Sequence, residues 1–556
     1  MRKIYGLLLF IILISAVSIR FNLLDKHFSH VDDLIPSQIY QLLYSDKGKL
    51  DKISTKFNVS NNEYLGKVVK PFIYVGYVAY TSTYAPLQFF ITYFLINNNQ
   101  DYKESLFWSR IPSFLLAIFS FLILYLIFKK HFKSEYYTFL IGLTLLSFSW
   151  EFIIYSVQAE TYAIVIFSCL VCFLLFFNLL VKFDQFKLSS ALLYGIFFSI
   201  LALTQYQIIF IIPVIFLLLI LDNIKTFLTS IKKLFLIICP SVIVITFLYF
   251  FILKAKSNEG IASHALNAGP NNQFFFITNG LDFLESFKYA FHFFTSNAVI
   301  TFNSLTSFGN DSLVMNKIFL LFYSLCLIFG IISMVKSTSK IKRFFIYFTA
   351  LSTIFFMFLI IINKLTLSPT RHSLIYLSYI SLIVPEGFLS MIKCIKNKGI
   401  IFYNSIILIF CSLVFIIFLF QSQAITNSRI DKFNAVEIAD LTLKYKVSNI
   451  YSINWTWNLL FMNSIKNTYE HEFNKNRSSL HFYKNISKSD SNNLLVISHR
   501  EVDSSVISND FFATNIDFSK FKLLYKKEQK STTEICHYKL SKNGSNGLFI
   551  YVYGSK

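Results

Sequence analysis

The sequence predicts a polytopic α-helical membrane protein with about eleven transmembrane helices, amphipathic helices on its outer face and a small C-terminal α/β domain. Three observations predict it. Hydrophobic residues make up 55% of the 556 and charged residues only 15%, whereas a soluble domain carries about 25% charged. Apolar runs long enough for a bilayer, about 17–25 residues, recur through the first three quarters of the chain. After about Ala424 the composition turns to Ser, Asn, Lys and Asp.

The same figures exclude disorder, a collagen-like fibre and a disulfide scaffold. The net charge of +21 comes from 51 Lys and Arg against 30 Asp and Glu. In a soluble protein that excess would point to nucleic acid. Here the basic residues sit mainly in short stretches between apolar runs, as the positive-inside rule expects, so no nucleic acid is expected as a partner. Six of the seven cysteines lie in or beside apolar segments. Cys169 and Cys172 form a CxxC inside an unbroken apolar run without a second pair or a His, which reads as helix packing rather than a metal site.

In chain order the expected spans are 4–19, 110–128, 137–155, 161–180, 188–204, 207–221, 234–253, 318–335, 344–362, 373–391 and 400–419. The first follows Arg2 and Lys3 and lacks a small-residue cleavage site, since Arg20-Phe21-Asn22 comes next, so it reads as a retained anchor. With the N-terminus inside, the basic loops 129–135, 182–187, 222–233, 336–343 and 393–398 all fall on the cytoplasmic side. That alternation holds only if 85–96 does not cross, and its twelve residues suit a re-entrant or interfacial helix. The outcome is a multi-pass protein of the plasma (inner) membrane with residues 1–424 as the transmembrane domain. Residues 425–556 form an extracytoplasmic domain in which Leu494–Ile497 and Leu548–Val552 read as strands and Ala435–Tyr445 as a helix.

Polar chemistry gathers in the outer loops. Asp32 and Asp33 follow His30-Val31 and precede Leu34-Ile35-Pro36, at the start of an amphipathic stretch. Capping explains one carboxylate, and a second remains. Ser82-Thr83-Tyr84-Ala85-Pro86-Leu87 opens the segment that does not cross. Arg110, with Pro112, opens the next span on the side where the orientation rule does not favour a cation; it either snorkels to the surface or holds an anion such as a lipid phosphate. Glu160 and Tyr162 stand in the turn between the third and fourth spans, with Glu151 a few residues earlier. Glu160 either favours a helix N-terminus or serves a site. Arg371 and His372 mark the mouth of the tenth span. His264, in the second long outer loop, is a lone loop histidine and reads as solvated.

In this order the features resemble the GT-C superfamily of polyprenyl-phosphate-sugar glycosyltransferases, and within it the protein O-mannosyltransferases and the lipid A aminoarabinose transferase. The match lies in Asp32-Asp33 after the first span (with Asp33 where the family usually has Glu), Tyr84-Ala85-Pro86-Leu87, Arg110, Glu160-Thr161-Tyr162 and, more loosely, Arg371-His372. It covers roughly residues 1–210, with a weaker echo over 360–390. The resemblance implies transfer of a sugar from a polyprenyl-phosphate donor to a lipid, glycan or protein acceptor at the outer membrane face, with inversion at the anomeric carbon. On this reading Asp32 is the general base. Asp33 and Glu160 shape the acceptor or metal site, Arg110 and Arg371 bind the phosphate, Tyr84 and Tyr162 line the sugar pocket, and His372 is a further substrate-binding residue. A divalent metal ion is the one cofactor the resemblance leaves open; its ligands are unknown. The alternative is a polytopic transporter or lipid flippase. Such proteins place ionisable groups near the bilayer midplane, whereas the centres of these spans are nearly free of charge, Glu386 being the main exception.

Overall fold

A computed structural model of the full chain describes residues 2–24, 86–96, 102–132, 136–159, 162–248, 283–306, 313–361 and 373–393, together with five strands and a few single positions after 400. The chain divides into two compact units. One holds Met1–Asn22, Asn62–Tyr93 and Arg110–Ala424, the other Leu23–Asn61, Phe94–Ser109 and Ile425–Lys556.

The described helices are α1 (Arg2–Leu23), α2 (Pro86–Leu95), α3 (Tyr102–Ile127), α4 (Tyr136–Phe148), α5 (Trp150–Tyr155), α6 (Tyr162–Lys182), α7 (Leu188–Ala202), α8 (Tyr206–Asp222), α9 (Phe227–Leu248), α10 (Phe283–Thr306), α11 (Leu313–Val335), α12 (Lys340–Ile361) and α13 (Ile375–Lys393). A single π-helical turn, Phe128–Phe132, closes α3. Among the described residues six helices are long and apolar enough to cross a membrane, and four shorter apolar helices fall on further expected spans. This is a helical membrane protein. The expected span 400–419 lies almost wholly outside the described residues.

The helix α2 has ten residues and is therefore about 15 Å long, half a hydrocarbon core. Those ten residues alone are too short to cross; residues 62–85 before them lie outside the described residues. The expected span 137–155 is divided: Ser149 sits between α4 and α5 with φ −55° and ψ 124°, outside the helical region. Helix α10 occupies part of the second long outer loop, where the sequence reading placed no element.

Helix α13 is the centre of the first unit. It is buried along most of its length, as expected of a helix enclosed by others. Its Tyr379 lies 5.5 Å from Phe173 of α6 and 5.9 Å from Phe348 of α12, ring centre to ring centre. Small residues allow the closest crossings. A methyl group on Gly387 would overlap the Cys326 carbonyl of α11, and one on Gly330 of α11 would overlap the Ile383 carbonyl of α13. Cys169 and Cys172 are fully buried in the main core, as packing residues should be.

In the second unit the strands β1 (Asn449–Ile453), β2 (His481–Phe482), β3 (Asn493–Ser498), β4 (Phe521–Lys530) and β5 (Gly547–Ser555) form one sheet in the order β2-β1-β3-β5-β4. The first three are parallel, and β5 runs antiparallel to both β3 and β4. The two apolar runs expected as strands are β3 and β5. Of the expected helix 435–445, only 441, 444 and 445 are described, and 441 and 444 are helical. Edge strand β4 carries four lysines, which discourage pairing with another chain. A bulge between Leu523 and Tyr525 interrupts its register.

Candidate functional site

The first unit has two chemically different ends. At one, lysines pair with carboxylates, amides and carbonyls. Lys340 lies 2.6 Å from Asp222, Lys342 2.9 Å from Glu386, and Lys130 2.6 Å from the Asn178 side chain. Lys233 donates to the Asp184 carbonyl at 2.9 Å. The opposite end joins the C-terminus of α1, α3 around Arg110, the α5–α6 turn and the α7–α8 turn, and its buried polar groups are of another kind.

Arg20 is the centre of that end. It falls on the face of α1 that also buries Ile12 and Ala16, and it is fully enclosed. Its Nε donates to Ser156 Oγ at 2.8 Å, and its Nη1 donates to the carbonyls of Ser147 at 2.8 Å and Ala16 at 3.1 Å. The guanidinium also lies 5.3 Å from the ring centre of Phe121 and 5.1 Å from that of Phe152. Among the described residues Nη2 has no hydrogen-bond partner.

The break at Ser149 explains why Ser147 can accept. The last carbonyls of a helix lack partners within it. The Leu145 carbonyl is taken by the Ser149 N–H at 3.1 Å, and the Ser147 carbonyl is left for Arg20. Ser156 Oγ accepts from Arg20 while donating to the Ile153 carbonyl at 2.6 Å. Burying a cation costs several kcal/mol. Charged hydrogen bonds contribute about 1.5–3 kcal/mol each and each aromatic face about 0.5–2 kcal/mol, so the cage roughly offsets that cost.

Arg110 is also fully buried, in α3 two residues before Pro112. Snorkelling to solvent is thereby excluded for it. One turn further along α3, Phe114 meets Phe21 of α1 at 6.2 Å between ring centres, and Ser113 accepts from the buried Gln88 amide of α2 at 2.9 Å. The Leu87 N–H of α2 reaches the Leu203 carbonyl, at the end of α7, at 3.3 Å. Tyr162 is buried at the start of α6, its ring 5.5 Å from that of Tyr155 across the α5–α6 turn. Glu151, in the first turn of α5, is buried in the same region.

Of the eight residues assigned from the sequence, Arg110 and Tyr162 are thus placed at this end. Asp32, Asp33, Tyr84, Glu160, Arg371 and His372 lie outside the described residues, as does His264. Among the described residues no group of three or more His, Cys, Asp or Glu is arranged to hold a metal ion. The sequence reading passed over Arg20 as part of a site, although the signal was present: it is a cation at the same end of its span as Arg110 is of its own. No family model, characterised protein or solved structure matches this chain.

Proposed function

We propose that this chain is a GT-C-type membrane glycosyltransferase that moves a sugar from a polyprenyl-phosphate donor to a lipid, glycan or protein acceptor at the extracytoplasmic face. One observation carries the reading. Two fully buried arginines, Arg20 and Arg110, lie at the end of the bundle opposite the one where its lysines collect. By the positive-inside rule the lysine end is cytoplasmic, and cations at the other end serve something besides orientation. A headgroup phosphate is the anion that a membrane supplies there.

On this reading the chain crosses eleven times, with 400–419 as the last span, the N-terminus cytoplasmic and 425–556 outside. The acceptor hydroxyl oxygen bonds to the anomeric carbon as the bond from that carbon to the phosphate oxygen breaks. The electron pair leaves with the polyprenyl phosphate, and Asp32 takes the hydroxyl proton. Asp33 and Glu160 shape the acceptor side. Arg110 and Arg371 offset the charge gathering on the phosphate, and His372 contacts the substrate. Tyr84 and Tyr162 flank the sugar. Asp33 and Glu160, which on this reading shape the acceptor or metal site, lie outside the described residues, as does Asp32.

The test is to supply the purified full-length protein in lipid nanodiscs with a panel of short-chain polyprenyl-phosphate sugars and to follow polyprenyl phosphate by mass spectrometry. Donor-dependent release supports the proposal. Movement of an intact donor between leaflets of a vesicle, without release, would replace it with the flippase alternative.

A further inference from the structure

Helix α10 turns apolar residues outward. Leu284, Phe287, Phe291 and Val299 are 59%, 65%, 68% and 55% exposed, while Asn297 and Thr301 are buried with Phe293. Positions 284, 287 and 291 are three and four apart and form one stripe. The exposed Lys288 and His292 lie along its margin.

Its neighbours show how it runs. Phe293, near the helix middle, packs on Ile360 in the last turn of α12. A helix crossing the bundle alongside α12 would meet it middle to middle. The far end of α10 is held elsewhere: the Leu305 carbonyl accepts from Ser149 Oγ at 2.8 Å. The outward face of α12 is itself apolar near that end, through Ile354, Phe358 and Ile361, so the stripe of α10 continues the lipid-facing band of a spanning helix.

We infer that α10 does not span but lies in the bilayer surface at the Arg20 end, with Leu284, Phe287 and Phe291 seated in the boundary between headgroups and acyl chains. Its partner is the lipid itself. Aromatic and aliphatic groups on one face with a basic residue at its margin are what such a helix needs. The Leu305–Ser149 bond then joins this lipid-seated helix to the break whose freed Ser147 carbonyl holds Arg20. The inference requires only that the bundle spans a membrane and is independent of any sugar transfer.

Phe287→Trp and Val299→Trp, about 18 Å apart along α10, each in the full chain and in nanodiscs, test it. The lipids carry bromine either near the carbonyl or near the methyl end of the acyl chain. Emission above that of the four native tryptophans should be lost at both positions, and lost more to the shallow bromine, as a helix buried about 5–10 Å at the boundary requires. Both variants should elute and melt like the unsubstituted protein, since the residues are exposed. Absence of quenching would overturn the inference by putting the face in water or under protein. Shallow quenching at one position with deep quenching at the other would overturn it in favour of a crossing helix.

Discussion

Arg20 Nε donates to Ser156 Oγ at 2.8 Å across 136 residues of sequence, tying the end of the first helix to the turn that leads to Tyr162. The same guanidinium satisfies a carbonyl released by the break at Ser149. One buried cation therefore joins the end of α1 to the α4–α5 break and to the turn that follows α5.

Ser156→Ala removes that acceptor and leaves a buried charged donor unmade, which should lower stability by about 1–3 kcal/mol. Thermal unfolding in nanodiscs reads the change. In an Arg20→Met background the same substitution should cost much less, because the coupled partner is gone. Equal costs in both backgrounds would show that the bond contributes nothing.

The crossing of α11 and α13 should be intolerant of a single methyl. Gly387→Ala drives its Cβ into the Cys326 carbonyl and should destabilise the protein by about 1–3 kcal/mol through overpacking. Gly6 has nothing within 4 Å of an added Cβ, so Gly6→Ala should be neutral or slightly stabilising, as Gly-to-Ala changes inside helices are. Comparable melting shifts for the two would contradict the packing described.

The Lys342–Glu386 pair, 2.9 Å apart with side chains 15% and 10% exposed, should behave as a partly buried ion pair. Lys342→Met alone takes one charged partner from a mostly buried carboxylate and should cost about 1–3 kcal/mol. Lys342→Met with Glu386→Leu should recover most of that loss, because the mostly buried carboxylate is then removed together with its lysine. Unfolding midpoints of the two variants decide it.

Sidedness can be read from labelling. With Cys536 replaced by Ser, cysteines introduced at Ser134 and Ser531 should react with an impermeant maleimide from opposite faces of a sealed vesicle. Reaction of both from one face would remove the eleven-span topology.

Legibility in the sequence followed how directly a feature registers in local pattern. The strands β3 and β5 were readable because short apolar runs such as Leu494–Ile497 stand between polar clusters. The short helix α2 was readable from its length alone. Helix α10 was not, because it buries Asn297 and Thr301 and exposes Phe287 and Phe291, so neither its hydropathy nor its pattern resembles a span or an ordinary surface helix. The break at Ser149 falls inside an expected span; Ser149 with Glu151 two residues on is the pattern of a helix start, whereas the bond from Ser149 Oγ to the Leu305 carbonyl is a tertiary contact that local pattern does not carry. For the site, Arg110 stood out as a cation on the disfavoured side. Arg20 carried the same signal but served only to mark the end of the first helix, since burial of an interfacial arginine depends on what packs against it.

The central claim is transfer of a sugar at the arginine end with Asp32 as base, and single-turnover release of polyprenyl phosphate by wild type and Asp32→Asn tests it most directly. With both proteins folded, shown by equal melting temperatures, the variant should be slower by about 10²–10⁴-fold, the usual contribution of a general base. A folded Asp32→Asn protein that releases lipid phosphate as fast as wild type would contradict the account.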